Sequence, residues 1–377
     1  MVRRSNRLSA DWTGLPFGGS GPQRYGLHQI AERRVVHQVK VSKVGVVGLG
    51  GIGRVHIAGW QRLGVEIHGY DELPESRAAA HDIGLTVHDD LGSLIQAVDV
   101  VDVCTPTDTH APLALAGLRA GRPVICEKPL ARTLEEADEL LAAAAEAGVP
   151  LHTAQVVRFF PEYAAARAAV AAGRIGQPAV LRLTREGDMP NPHGWYHDIE
   201  RSAGIIGDVM VHDIDFARWI AGDVVRVFAR LMRPAGPQNG PTHAYAILTH
   251  VGGTITHLTA SWARLGGPFR TSFELAGSEG LLDYATDQRP ALRTAPAPLV
   301  AAAGSTFGEP FTIELAEFKA AIEGGPPARV SARDGREALA IALAALESAQ
   351  TGRAIDLPVS STPYVGSAPV AAEVASA

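Results

Sequence analysis

The run Gly48-Leu49-Gly50-Gly51-Ile52-Gly53 constrains the chain around it more than any other segment. It follows a short apolar strand, Val44–Val47, and opens a helix read over residues 51–63. A G-x-G-x-x-G spacing between strand and helix is a phosphate-binding turn. Gly48 permits the tight turn, Gly50 lets the backbone approach a pyrophosphate, and Gly53 lets helix and strand pack closely. Gly51 and Ile52 complete the turn, and free N–H groups at the helix start face the phosphates. Asp71 lies 18 residues after Gly53, at the end of the next strand, Val65–Tyr70. A carboxylate there accepts from ribose hydroxyls and repels a 2′-phosphate, so the expected cofactor is NAD, with NADP the alternative.

The pattern that follows alternates strands and helices. Val98–Cys104, Pro123–Cys126 and Leu151–Ala154 read as apolar strands, separated by helices near 110–120 and from Thr133 to Gly148. Thr133 and Glu136 have capping-box spacing. Strands apolar on both faces, alternating with helices, imply a parallel sheet covered on both sides. After about residue 156 the texture changes to polar–apolar alternation, in Val180–Arg185, Val225–Met232, Ala244–Thr249, Thr254–Trp262 and Thr271–Leu275. Gly252-Gly253 marks a hairpin. These segments predict an antiparallel sheet with one face packed and one needing cover, followed by helices near 311–323 and 332–350.

Composition narrows the function classes. Of 377 residues, 46% are apolar and 20% charged, and the net charge is −6, so neither a nucleic-acid nor an anionic-membrane partner is expected. No apolar stretch is long enough to span a bilayer. Two cysteines, Cys104 and Cys126, suit a reducing cytoplasm and exclude a disulfide scaffold. Arg3-Arg4 lacks the apolar stretch an export signal needs. Residues 1–40 carry seven basic groups against two acidic and are read as a loose leader, with an arm lying on a partner subunit as the sharper alternative. Residues 359–377 are read as a loose tail.

Chemistry concentrates in three places. Thr105-Pro106 leaves the carboxyl end of a strand, the edge where open α/β sheets bind ligands, and is expected beside the nicotinamide ribose. Glu127-Lys128-Pro129 follows the next strand and brings an amine to the same edge; near a cationic ring, partly desolvated, such an amine can have a lowered pKa and join a proton relay. Asp208, His212 and Asp215 fall at i, i+4 and i+7, one stripe of an otherwise apolar helix. Catalysis and a structural hydrogen-bond network both fit that stripe. A metal site lacks an adequate ligand set, and none is expected.

These features, in this order, resemble the glucose–fructose oxidoreductase/inositol dehydrogenase/rhizopine catabolism (Gfo/Idh/MocA) family. The run Gly204 to Gly222 is most similar to the inositol dehydrogenase branch, and Val157-Arg158-Phe159-Phe160-Pro161 and Ser331-Ala332-Arg333-Asp334-Gly335 add to the likeness, which spans about residues 43–358. The resemblance implies an N-terminal Rossmann domain with a parallel, doubly wound sheet (41–155) and a C-terminal α/β domain with a large, mainly antiparallel open sheet (156–358). It implies NAD(P)-dependent interconversion of a secondary alcohol and a ketone on a cyclic polyol or sugar, in a homodimer or homotetramer. Lys128 would contact the reacting hydroxyl, Asp208 would orient that site, His212 would be the acid/base, and Glu127 would hold the cofactor-side loop. A polyhydroxylated substrate needs many polar partners, and the candidates are Arg158 and, from a segment rich in polar and aromatic residues, Asp188, Asn191, His193, Trp195, Tyr196 and His197, with Asp215 from the helix stripe. Gln155-Val156-Val157 departs from the family's small or Asn-containing run and is expected to alter the pocket floor. A nucleotide-sugar or glycoside ketoreductase, redox-assisted glycoside cleavage, and a non-catalytic dinucleotide-binding regulator are the rival readings.

Overall fold

In a computed structural model the described residues are 39–188, 194–232, 242–262, 269–287, 292–295 and 308–358. The leader, the tail, Asn191 and His193 lie outside them. The chain opens with β1 (Lys43–Val47), α1 (Gly51–Arg62), β2 (Glu66–Tyr70), α2 (Pro74–Asp82), β3 (Thr86–Val87), α3 (Leu91–Ala97) and β4 (Val100–Val103). It continues through α4 (His110–Arg119), β5 (Val124–Glu127), α5 (Leu134–Ala147) and β6 (Leu151–Ala154). The six strands form one sheet, ordered β3-β2-β1-β4-β5-β6, and every pairing is parallel. Strand order reverses between β1 and β4, so a crevice opens beyond their carboxyl ends.

Both faces of this sheet are covered. Val44 and Val46 pack with Ile57 and Trp60 of α1, whereas Val47, Val101 and Val103 pack with Leu94, Leu115 and Leu140 on the other side. The capping box at α5 forms as its spacing predicts. Glu136 N–H donates to Thr133 Oγ1 and Thr133 N–H to Glu136 Oε2, both at 3.2 Å, and Gly148 ends the helix in the left-handed region. Periodicity missed α2, because Ala80 is its only buried residue and a nine-residue helix so exposed carries little apolar stripe.

The second half runs through α6 (Pro161–Ala171), β7 (Pro178–Glu186), α7 (Ile199–Ser202), α8 (Val211–Ala221), β8 (Val224–Met232), β9 (Thr242–His250), β10 (Ile255–Trp262), β11 (Arg270–Gly277), β12 (Leu281–Ala285) and β13 (Leu292–Ala295). Then come α9 (Glu309–Ile322), α10 (Ala332–Thr351) and β14 (Ile355–Asp356). The second sheet is ordered β13-β12-β11-β7-β10-β9-β8-β14 and is antiparallel except where β7 meets β10. The β9–β10 hairpin turns at Gly253, whose φ of +86° suits glycine. One face carries the core built on Phe216, Trp219, Phe273 and Ile341. The other leaves Tyr245, Ile247 and Ile255 exposed.

Two helices tie the sheets together. Leu315, Phe318 and Ile322 of α9 join the apolar cluster of β1 and α1, so a helix that follows the second sheet in sequence covers the first. Below it lies a buried ion network. Arg158 donates to Asp215 at 2.6 and 2.7 Å and to the Arg329 carbonyl at 2.9 Å, and Asp334 of α10 stands 3.3 Å away. Arg218 meets the same Asp334 at 2.9 Å.

Removing one partner of such a pair strands a buried charge, which costs about 3–5 kcal/mol. Arg158→Ala should therefore lower unfolding stability in urea by about that amount. A loss under about 1 kcal/mol, the value of an exposed pair, would show that the network carries no such strain.

Candidate active site

The turn between β1 and α1 is built as its glycines require. Gly48 has φ +95°, and a Cβ on Gly53 would lie 1.9 Å from the Gly48 carbonyl oxygen, so neither position admits a side chain without moving the turn. Cβ atoms on Gly50 and Gly51 would meet nothing within 4 Å. The first turn of α1 has no side-chain cap and no acidic residue. Its N–H groups are thus free for an anion, and the space before them suits a pyrophosphate. Asp71 braces the turn from β2, accepting from Leu49 N–H at 2.8 Å and Leu73 N–H at 3.0 Å. Two accepted bonds leave the carboxylate room for ribose hydroxyls.

A groove of about 410 Å³ runs along this edge, walled by Gly48, Gly50, Gly51, Ile52, Asp71, Thr105 and Pro106. Ile52, Thr105, Trp195 and Tyr196 are shared with a second cavity of about 360 Å³. That cavity holds Glu127, Lys128, Asp208 and His212. Lys128 reaches across from the end of β5, and its Nζ donates to the Asp208 carbonyl at 2.7 Å and to Asp208 Oδ1 at 2.9 Å. Asp208 sits in a π-helical turn, Ile206–Met210, ahead of α8. Val156 also lines the cavity, in line with the departure at Gln155-Val156-Val157.

Burial lowers the Lys128 pKa, but the charges of Asp208 and Glu127 outweigh it and hold the amine above the ordinary lysine value. The expectation of a lowered pKa concerns an amine beside a cationic nicotinamide; in the chain alone the carboxylates at its side favour the cation. His212 goes the other way. Burial, then the Lys128 and Arg185 charges, push its pKa well below the ordinary value, so the imidazole is neutral at pH 7. Its Nδ1 is buried without a hydrogen-bond partner among the described residues. One cation and one neutral base thus share a cavity. The Tyr196 hydroxyl is raised by burial and by Asp208, and stays protonated.

Two expected substrate contacts are placed elsewhere. Arg158 and Asp215 are 0% and 1% exposed and bonded to each other, Arg158 also to the Arg329 carbonyl, and neither lines the cavity. The stripe splits: Asp208 and His212 line the cavity, while Asp215 faces Arg158. Trp195 and Tyr196 do line it, stacked with centroids 4.2 Å apart. Residues not singled out include His110, whose ring nitrogens lie 2.8 Å from the Pro129 carbonyl oxygen and 2.9 Å from that of Thr105. His56 and Asp102, buried and joined beneath Glu127, were also missed. A charge in the middle of the apolar strand Val98–Cys104 was the available signal for Asp102.

Residues 42–155 match the description "Oxidoreductase family, NAD-binding Rossmann fold", and residues 163–283 match the "GFO/IDH/MocA C-terminal domain". The chain is 34% identical to 1,5-anhydro-D-fructose reductase of Ensifer adhaerens, over 69% of this chain and 80% of that protein. It belongs to the Gfo/Idh/MocA oxidoreductase family. It is also 29% identical to inositol 2-dehydrogenase of Rhizobium meliloti (strain 1021), over 84% of this chain and 99% of that one. Among solved structures, levoglucosan dehydrogenase in complex with NADH superposes with a TM-score of 0.74 at 28% identity, covering 84% of this chain and 98% of that chain. The first sheet is therefore the family's NAD-binding Rossmann fold. No helix among the described residues is long and apolar enough to cross a membrane.

Gly53→Ala should abolish NADH binding in a fluorescence titration, since its methyl cannot coexist with the Gly48 carbonyl. Unaltered affinity would refute the tight-turn account. On the expectation that His212 is the base, its neutral state sets the acid side of the pH profile. The folded value is depressed, so the base stays competent as pH falls through 6.5. The acid limb of kcat/KM for alcohol oxidation should lie below that value; a limb at 7 or above contradicts it.

Proposed function

We propose that this oxidoreductase interconverts a ring secondary alcohol and a ketone on a cyclic polyol or sugar, with residues 41–155 holding the cofactor and 156–358 supplying the substrate side. One observation carries the reading: Lys128, Asp208 and His212 share a cavity that is continuous with the cofactor groove through Ile52, Thr105, Trp195 and Tyr196. When bound, NAD supplies the hydride acceptor. The chain's residues handle the proton. A substrate hydroxyl in the cavity meets the neutral His212 imidazole, which takes its proton on Nε2, the nitrogen opposite the buried Nδ1. Lys128 Nζ, held as a cation by Asp208, donates to the same oxygen as negative charge develops there. Reduction reverses these steps.

The cavity wall favours sugars and cyclic polyols. Trp195, Tyr196, Trp262 and Phe269 offer aromatic faces to C–H surfaces, and Asp188 and Ser261 bring polar groups. A site built around hydroxyls rejects analogues that lack them. The relatives named for inositol, anhydrofructose and levoglucosan lie within this chemical range. Substrate-facing roles fall to Trp195 and Tyr196. The exposed face of the second sheet, with Tyr245, Ile247 and Ile255, is where copies of the chain would pair.

A panel of inositols, free and anhydro sugars and nucleotide sugars, followed by NADH absorbance with NAD and NADP, should yield turnover with at least one member and a preference for NAD. Binding of NADH without turnover on any member would favour a regulator instead. On the substrate found, Lys128→Ala and His212→Ala should each lower kcat by roughly 10²–10⁴-fold. Their affinity for NADH should stay within about threefold of the parent, because neither residue borders the phosphate turn. Full activity in either variant would end the mechanism.

A further inference from the structure

Beneath Lys128 lies a buried polar chain that the proposed chemistry does not use. His56 of α1 is 0% exposed. Its Nδ1 stands 2.9 Å from Asp102 Oδ2 of β4, and its Nε2 stands 3.1 Å from Glu127 Oε1 at the end of β5. Asp102 Oδ2 also accepts from Trp60 Nε1 at 2.7 Å. The second Glu127 oxygen accepts from the Lys128 backbone N–H at 2.9 Å. The chain thus runs from Asp102 through the imidazole to Glu127 and ends on the backbone of the reacting lysine.

Ionised carboxylates only accept, so an imidazole bonded to one at each nitrogen must carry hydrogen on both. His56, Asp102 and Cys104 sit close enough to hold a metal ion, but the imidazole–carboxylate contacts are already direct hydrogen bonds, and no further ligand set is needed to explain them.

We propose that His56 is a positioning residue for the reacting amine: held as a cation between Asp102 and Glu127, it fixes Glu127, which through the Lys128 N–H sets where the lysine side chain leaves the sheet. The inference rests on the role given to Lys128 above. Every element packed on the imidazole contributes to its charge state. Burial opposes the positive charge; Asp102 and Cys104 together outweigh it, and the pKa is raised well above the ordinary value. The Cys104 thiol is pushed up by burial and stays neutral. Glu314 of α9, wholly buried with neither oxygen partnered among the described residues, is raised by burial and then by Glu127 and is neutral as well. Glu317 lies farther along the same helix and acts on Glu314. Phe311 places its ring 6.1 Å from the imidazole. Asp102 and Glu127 face the imidazole directly, and Lys128 lies beyond Glu127.

The first test needs no substrate. In the full-length protein with ¹⁵N-labelled histidine, both His56 nitrogens should show protonated shifts throughout pH 6–9. A single-tautomer neutral ring, or titration near 6.5, overturns the clamp. Glu127→Gln keeps the shape but removes a negative charge beside the amine, so the Lys128 Nζ resonance should titrate at lower pH than in the parent. An unchanged titration overturns the link from the chain to the lysine. With a substrate in hand, His56→Asn should lower kcat at least tenfold while the NADH affinity changes less than twofold. In a Glu127→Ala background the same change should cost under twofold, since His56 acts through Glu127. Independent, multiplicative losses, or a loss of melting temperature with kcat retained, would make His56 merely structural. If no substrate is ever found, the two resonance measurements still decide this inference, and the functional reading fails separately.

Discussion

The ion pair between Lys128 and Asp208 is the contact on which the site depends. Lys128 comes from the end of a strand in the parallel sheet, and Asp208 comes from the turn that leads into the helix beneath the mixed sheet. The amine donates to both the side chain and the backbone carbonyl of Asp208, so it reads the position of that turn and not only its charge. Partly buried ion pairs are not strong sources of stability, since desolvation offsets much of the attraction. What this one supplies is register. It joins the two halves beside a cavity that shares walls with the groove at the Rossmann edge.

The same pair accounts for the contrast between the two basic groups. An amine beside Asp208 and Glu127 is held charged, and that charge, added to burial, discharges the imidazole of His212. Two groups whose environments push their pKa values apart divide the work of donor and acceptor. A carboxylate placed beside His212 would undo the division by raising its pKa. Asp215, one turn beyond His212, could have done so, but its oxygens are bound by Arg158 and face away from the cavity. The buried network therefore has an electrostatic consequence for the site as well as a structural one.

The local signals in the chain were legible where chemistry and backbone demand coincide. Gly48 and Gly53 cannot be anything else in that turn, and Thr133 with Glu136 spells out a helix start. The alternation of β7 to β11 predicted the second sheet and the Gly253 hairpin. Distant pairings were not legible. Nothing in the spacing of Arg158 and Asp215, 57 residues apart, says that they bond to each other and not to a substrate. Both were expected at the pocket, yet Asp215 lies beside Arg158, away from the cavity that His212 lines. His56 was hidden for a related reason: its partners come from two other strands, and its position on α1 reads as ordinary core.

The position of the aromatic pair follows from how its loop is anchored. Trp195 and Tyr196 wall both the groove and the cavity. Their segment is short and has no regular pairing of its own. It is held instead through α7, which follows directly. Arg132, beside the start of α5, donates to the carbonyls of Ile199 and Glu200 at 3.2 and 2.7 Å, and Arg201 pairs with Asp108 at 2.8 Å. Ser202 Oγ closes the loop on itself by donating to the Tyr196 carbonyl at 2.9 Å. Both arginine contacts run to the loops of the Rossmann sheet. The stacked rings are therefore anchored, through α7, to the loops of the Rossmann sheet, although they lie in the second half of the chain.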